Sequence, residues 1–200
     1  MTRHLLSVAI TMPPSTDAGT AITIAKMAGR LGFSAIHLSP EADTSQLERL
    51  TDAAAPALVV IDLPEEADGI VRANDPAAVA RARAEMDASD SDRPLLVAVP
   101  ISIGRTMNEA QARADLEPRF AGDRHPRDVG IFGTFESAQE QVLALARAGA
   151  DGLILDVPFP DDVADVLAQV RALVVGATPA LLDRTTVRDV PPPRTVFYGP

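Results

Sequence analysis

Leu145-Ala-Arg-Ala-Gly-Ala-Asp-Gly-Leu-Ile-Leu-Asp156 decides the fold class. Its first residues end an Ala-rich stretch of helical period, Gly149 stands where that helix must stop, and an apolar run of strand length follows. The same corner occurs in Met27-Ala-Gly-Arg-Leu-Gly-Phe-Ser-Ala-Ile-His-Leu-Ser39, with Gly32 as the stop. A third copy, Asp52-Ala-Ala-Ala-Pro-Ala-Leu-Val-Val-Ile-Asp62, carries Pro56 in place of the glycine. Gly32 and Gly149 are expected as left-handed caps, because glycine takes positive φ without a Cβ penalty. Recurrent helix-to-strand corners build β/α barrels, and open doubly wound sheets use them as well.

Outward from these corners, strand-length apolar runs alternate with helical periods along the whole chain, the pattern of an α/β protein with parallel strands. Strands are expected at Leu5 to Thr11, Ala35 to Ser39, Ala57 to Asp62, Leu95 to Ser102 and Gly152 to Asp156, with short ones at Val129 to Phe132 and Thr195 to Tyr198. Helices are expected at Asp17 to Leu31, Ser45 to Ala54, Pro76 to Met86, Met107 to Leu116, Phe135 to Ala148 and Asp161 to Val174. Thr106 and Thr134 read as N-caps, and Pro76 suits a first helical turn. Two irregular stretches, Glu65 to Asn74 and Glu117 to Asp128, have the length of active-site lids or mobile segments. Residues 1–186 read as one domain, and 187–200, with Pro191-Pro192-Pro193, as a stiff extended tail.

Composition narrows the chemistry. The 200 residues carry 18 Lys plus Arg against 28 Asp plus Glu, a net charge of -10, so a nucleic-acid or anionic-membrane partner is not expected. No apolar run has the roughly 20 residues of a membrane span, and the N-terminus does not read as a signal peptide, so a cytoplasmic protein is expected. With no Cys and 3 scattered His, thiol chemistry, disulfides, iron–sulfur clusters and a histidine-rich metal centre drop out. Asp87-Ala-Ser-Asp-Ser-Asp92 lacks the Gly and Glu of a calcium loop and reads as a solvated turn. There is no P-loop, Gly-x-Ser-x-Gly elbow, His-Glu-x-x-His or dinucleotide fingerprint.

Three segments, in the right order, resemble one family. Leu95-Leu-Val-Ala-Val-Pro-Ile-Ser-Ile-Gly-Arg-Thr-Met-Asn-Glu-Ala places a strand, a polar turn and Thr-x-x-Glu-Ala before a helix. Gly133-Thr-Phe-Glu, leading through a helix to Ala-Gly-Ala-Asp151 and a strand, is similar to a Gly-Thr-Pro-Glu helix followed by Ala-Gly-x-Asp. Leu31-Gly-Phe-Ser-Ala-Ile-His-Leu38 is similar to a Leu-Gly-Phe-x-x-x-Trp corner. Together these resemble the luciferase-like flavin-dependent oxidoreductases. The resemblance implies a TIM-type β/α barrel, here trimmed or incomplete because the chain is shorter than the roughly 250 residues typical of that fold. It implies a homodimer that binds FMN, or alternatively the deazaflavin F420, at the C-terminal strand ends. A monooxygenase acting on a small-molecule substrate with reduced FMN and oxygen is the implied activity, with a flavin reductase as a partner supplying reduced flavin. F420-dependent hydride transfer and a non-catalytic flavin-binding protein are the alternatives. The chain departs from the family at Ser39-Pro40-Glu41, where an acidic residue and a His often stand, and at His37, where Trp is usual.

Barrel chemistry comes from strand ends, which makes Thr11, His37, Ser39, Asp62, Ser102, Arg105 and Asp156 the candidates. Gly133 and Thr134 open a helix whose free N–H groups favour a flavin phosphate, or Thr134 is an N-cap and nothing more. Arg105 follows a strand and pairs with a phosphate through its planar fork, or is a surface residue. His37 is expected to hydrogen-bond a flavin edge or to act as acid or base near neutral pH, with a satisfied core histidine as the commoner outcome. Ser39 and Asp62 are assigned with Arg105, Gly133 and Thr134 to cofactor binding. Asp62 and Asp156 would act as an acid/base pair only if the fold brings them together.

Overall fold

The computed structural model describes residues 6–38, 47–61, 69–158 and 163–182. Seven strands are present among them: β1 (Ser7–Met12), β2 (Ala35–Leu38), β3 (Leu58–Ile61), β4 (Ile70–Val71), β5 (Leu96–Gly104), β6 (Ile131–Thr134) and β7 (Gly152–Asp156). The helices are α1 (Ala18–Leu31), α2 (Leu47–Ala54), α3 (Pro76–Ala88), α4 (Met107–Leu116), α5 (Pro126–Val129), α6 (Phe135–Ala148) and α7 (Val163–Leu182). Ser39, Asp62, the predicted strand Thr195 to Tyr198 and the Pro-rich tail lie outside the described residues.

All strand pairs are parallel, in the order β3-β2-β1-β7-β5-β4, with β6 paired to β5. Travelled from β4 through β5, β7 and β1 to β3, the strands advance in one rotational sense. The direction never reverses, as it would at the switch point of a doubly wound sheet. Right-handed crossovers then place α1, α2, α3, α6 and α7 on one side. The packing agrees: α2, α1, α7, α6 and α3 contact one another in that order. Their apolar faces join Val8, Ile10, Ile36, Val97, Val99, Leu153 and Leu155 in one core. Among the described residues this is barrel order left open between β3 and β4, and their sheet is not closed.

The other face of the sheet reads in rows across the ladder, because residues in parallel register point the same way. The first row is Ile70, Leu96, Gly152 and Ser7, and the second is Ala98, Ile154, Ala9, Ala35 and Leu58. Ala9, Ala35 and Ile154 form a small second core, and Val60 of β3 and Ile70 of β4 both pack against it. Side chains from the two edge strands thus meet one cluster, so the sheet curls around it. The small alanines leave the room that this curl needs.

Local causes fix the corners. Asp17 caps α1, its carboxylate accepting from the Gly19 and Thr20 amides. Gly32 ends α1 at φ 76°, ψ 34°, and Gly149 follows α6 at φ 123°, both positive as the corner motif requires. Pro100 has no N–H to donate, and at it the β5–β7 ladder ends while the β5–β6 ladder begins at Ile101. The expected strand Val129 to Phe132 is displaced to Ile131–Thr134, because Pro126 starts the four-residue α5 that takes in Val129. β4 lies in the stretch Glu65 to Asn74 that reads as irregular.

Candidate functional site

The third row across the sheet is Pro100, Asp156, Thr11, His37 and Val60. It stands at the C-terminal strand ends on the face away from α1, α2, α3, α6 and α7. Thr11 Oγ1 donates to Asp156 Oδ1, and Arg124 Nη2 donates to Asp156 Oδ2 at 2.7 Å. His37 is half-buried, and its Nδ1 atom is buried with no hydrogen-bond partner among the described residues. Burial alone lowers its pKa from 6.5 to about 4. The imidazole is therefore neutral at pH 7, which narrows the expected acid or base role to hydrogen bonding until a ligand changes its surroundings.

The segment Glu117 to Asp128 approaches this row from above. It is not a structureless loop: two 3₁₀ turns, Pro118–Phe120 and Gly122–Arg124, lead into α5. Glu117 grips Arg119 through two bonds, at 2.8 and 3.2 Å, and Arg119 Nη2 donates to the Val157 carbonyl at 2.6 Å, just past β7. His125 Nδ1 accepts from the Arg127 amide at 3.1 Å, which leaves Nε2 as the ring's donor nitrogen. That nitrogen faces Asp115 Oδ1 at 3.3 Å, and the ring meets Phe132 edge-on at 5.9 Å between centroids. An open cleft of about 300 Å³ lies between α4 and the segment, with Ala114, Asp115, Phe120, His125 and Arg127 among its walls.

Arg105, Gly133 and Thr134 are brought together, since Ile103 and Gly104 pair in register with Gly133 and Thr134. Two helix starts therefore lie side by side. Thr134 caps α6, accepting from the Ser137 amide at 3.4 Å, and Thr106 caps α4, accepting from the Glu109 amide at 3.2 Å. Glu109 Oε2 in turn accepts from the Arg105 amide at 2.9 Å, while the Arg105 side chain is exposed. Gly133 has φ 127°, and a Cβ there would come within 3.0 Å of Met107 Sδ. His37 sits apart from this group: three strand spacings, about 14 Å, separate β2 from β5. Ser102, two residues beyond Pro100 on the same face of β5, is buried, and its hydroxyl donates to the Ala110 carbonyl at 2.8 Å.

Arg124, Arg119 and His125 were not among the sequence candidates. The available signal was compositional: a Pro-, Gly-, Arg- and Asp-rich stretch inside an otherwise Ala-rich chain. Among the described residues no group of three or more His, Asp or Glu side chains is placed to hold a metal ion. No helix among them is long and apolar enough to cross a membrane.

The sequence matches no family profile and no curated protein. Solved structures do match. Apo-MsnO8 superposes with a TM-score of 0.56 at 14% identity, over 86% of this chain and 98% of that one. A coenzyme F420-dependent tetrahydromethanopterin reductase from Methanopyrus kandleri superposes with a TM-score of 0.58 at 10% identity, over 86% and 99%. At such identities the likeness speaks of fold alone: a parallel β/α sheet in partial-barrel order.

Proposed function

We propose that this chain is a luciferase-like flavin-dependent oxidoreductase that uses reduced FMN and oxygen on a small organic substrate. The observation that carries the reading is the third row, where the unpartnered His37 Nδ1 stands beside the bonded Thr11–Asp156 pair at the C-terminal strand ends. A second polar group, Arg105 with the two helix starts, lies three strand spacings across the sheet and four to five residues further along it. That spacing suits an extended cofactor with a flat hydrogen-bonding end and an anionic end. Arg105, Gly133 and Thr134 would hold the phosphate on free N–H groups and positive helix ends. His37 would meet the ring edge as a neutral imidazole, giving its unpartnered nitrogen the bond it lacks.

When bound, the reduced flavin supplies the electrons for the oxygen chemistry. The chain's own residues bind, orient and exclude water. Thr11 keeps the Asp156 carboxylate turned along the row, and the segment Glu117 to Asp128 covers the β7 end. Titration with FMN and with F420, followed by absorbance and fluorescence, tests the reading; binding of neither overturns it. Thr134→Asp sets a negative charge against the phosphate, and the like-charge repulsion is expected to weaken FMN binding about tenfold, equivalent to about 1.4 kcal/mol. Unchanged affinity removes the helix-start assignment.

Two neighbouring readings have a specific observation each. Hydride transfer with F420 gains from the fold shared with an F420-dependent reductase. A flavin-binding protein without catalysis gains from the open β3–β4 edge. Consumption of oxygen or oxidation of reduced F420 in the presence of candidate substrates separates the three.

A further inference from the structure

Phe120 and His125 are 2% and 8% exposed, while Ala121, Gly122, Asp123 and Arg124 between them are exposed. The segment is thus pinned at two buried anchors with a four-residue tip between them. Gly122 has φ 67°, and a Cβ built on it meets nothing within 4 Å. Arg124 is the tip residue that reaches back to the sheet, with Nη2 on Asp156 at 2.7 Å. The two halves of this pair differ. Asp156 has 18% of its side chain exposed and is held from its other oxygen by Thr11, whereas the Arg124 side chain is 66% exposed.

A guanidinium has five N–H donors in a planar fork. Asp156 engages one nitrogen of Arg124, and the other donors have no partner among the described residues. Arg119, five residues earlier, is by contrast committed to Glu117 and to the Val157 carbonyl. In a chain of net charge -10, Arg124 sets a cation with spare donors beside the polar row, its charge balanced by Asp156. A fork with open donors matches a carboxylate or phosphate bidentately.

We infer that Arg124 is an oxyanion-binding residue: its open donors take a carboxylate or phosphate group of the ligand while Asp156 keeps it aimed over the Thr11–His37 row. The anchors at Phe120 and His125 confine the motion to residues 121–124, so the tip settles as the anion arrives. Only the source of the anion, cofactor phosphate or substrate acid, rests on the flavin reading above.

The test is the arginine Nε–H spectrum of the full chain, with the Arg124 signal identified by its loss in Arg124→Gln. Arg124 is exposed, so this variant is expected to keep the wild-type urea midpoint. Inorganic phosphate and acetate are titrated separately. A saturable shift of the Arg124 signal with at least one of them, together with slower amide exchange at 121–124 that Arg124→Gln abolishes, is the expected result. No saturable shift with either anion overturns the proposal, whatever flavin does. A shift in a protein that binds neither FMN nor F420 upholds it and removes the flavin reading instead. FMN and riboflavin then tell the sources apart: a shift with FMN alone assigns the anion to the cofactor phosphate, and a shift with acetate or phosphate in the flavin-loaded protein assigns it to substrate.

Discussion

Acidification should weaken this fold through one side chain. His37 has a pKa of about 4 in the folded chain against 6.5 for the free group, and burial is the cause. Between those values the unfolded chain binds the proton that the folded chain refuses, so unfolding becomes easier as pH falls. The contribution is fully present above pH 6.5, declines through the interval, and is lost below pH 4. The difference of about 2.5 pKa units, at 1.36 kcal/mol each, is about 3 kcal/mol. For an ordinary urea dependence of about 2 kcal/mol per molar, the midpoint should fall by about 1.5 M between pH 7 and pH 4 on this account. Carboxylates titrate in the same interval, so the measurement is a difference: urea unfolding from pH 7 to pH 4 for the wild type and for His37→Gln. The variant should lose about 3 kcal/mol less than the wild type over that range. Parallel profiles, or an imidazole resonance of His37 that titrates near 6.5, would refute the burial argument.

Other expectations follow from single contacts. A Cβ at Gly29 would lie 2.2 Å from the Ala54 carbonyl oxygen, so Gly29→Ala must push α1 off α2; the cost, about 2 kcal/mol in urea unfolding, outweighs the roughly 1 kcal/mol of helix propensity that Ala adds. Asp151 accepts from the Leu95 amide at 2.8 Å and pairs with Arg83, so Asp151→Ala leaves a backbone donor unpaired beside the buried Leu95 and should lower stability by about 1–3 kcal/mol. The β3 edge, where Leu58 is 64% exposed, is expected to be covered in a homodimer. Light scattering at micromolar concentration checks this, and a monomer there counts against it.

Much of the architecture could be read from local signals. Thr106 and Thr134 mark the starts of α4 and α6, and both helices run over the residues expected, Met107–Leu116 and Phe135–Ala148. Gly32 and Gly149 turn where the corner motif puts them. The two-residue β4 was beyond reach, since periodicity needs more length than Ile70–Val71 offers. The choice between barrel order and a doubly wound sheet also could not be made from corners, which both share; it needed the pairing of β1 with β7. The site divides in the same way. Strand-end position flagged Thr11, His37 and Asp156 one by one, but their common row depends on that same long-range pairing. Arg124 has no periodic signal at all, because its role comes from the path of an irregular segment between two buried anchors.

The pairing of β1 with β7 has a consequence for how the chain reaches this state. Ser7 pairs with Gly152 and Thr11 with Asp156, so the middle of the sheet is a seam between the first and the last of the described strands. During synthesis β1 has β2 on one side and an open ladder on the other until residues 152–156 emerge. Such late, non-local closure slows folding and leaves an unpaired parallel edge exposed meanwhile. β1 is therefore made before β7 yet completed only with it, and a nascent chain halted before β7 should be prone to aggregate and in need of chaperone protection.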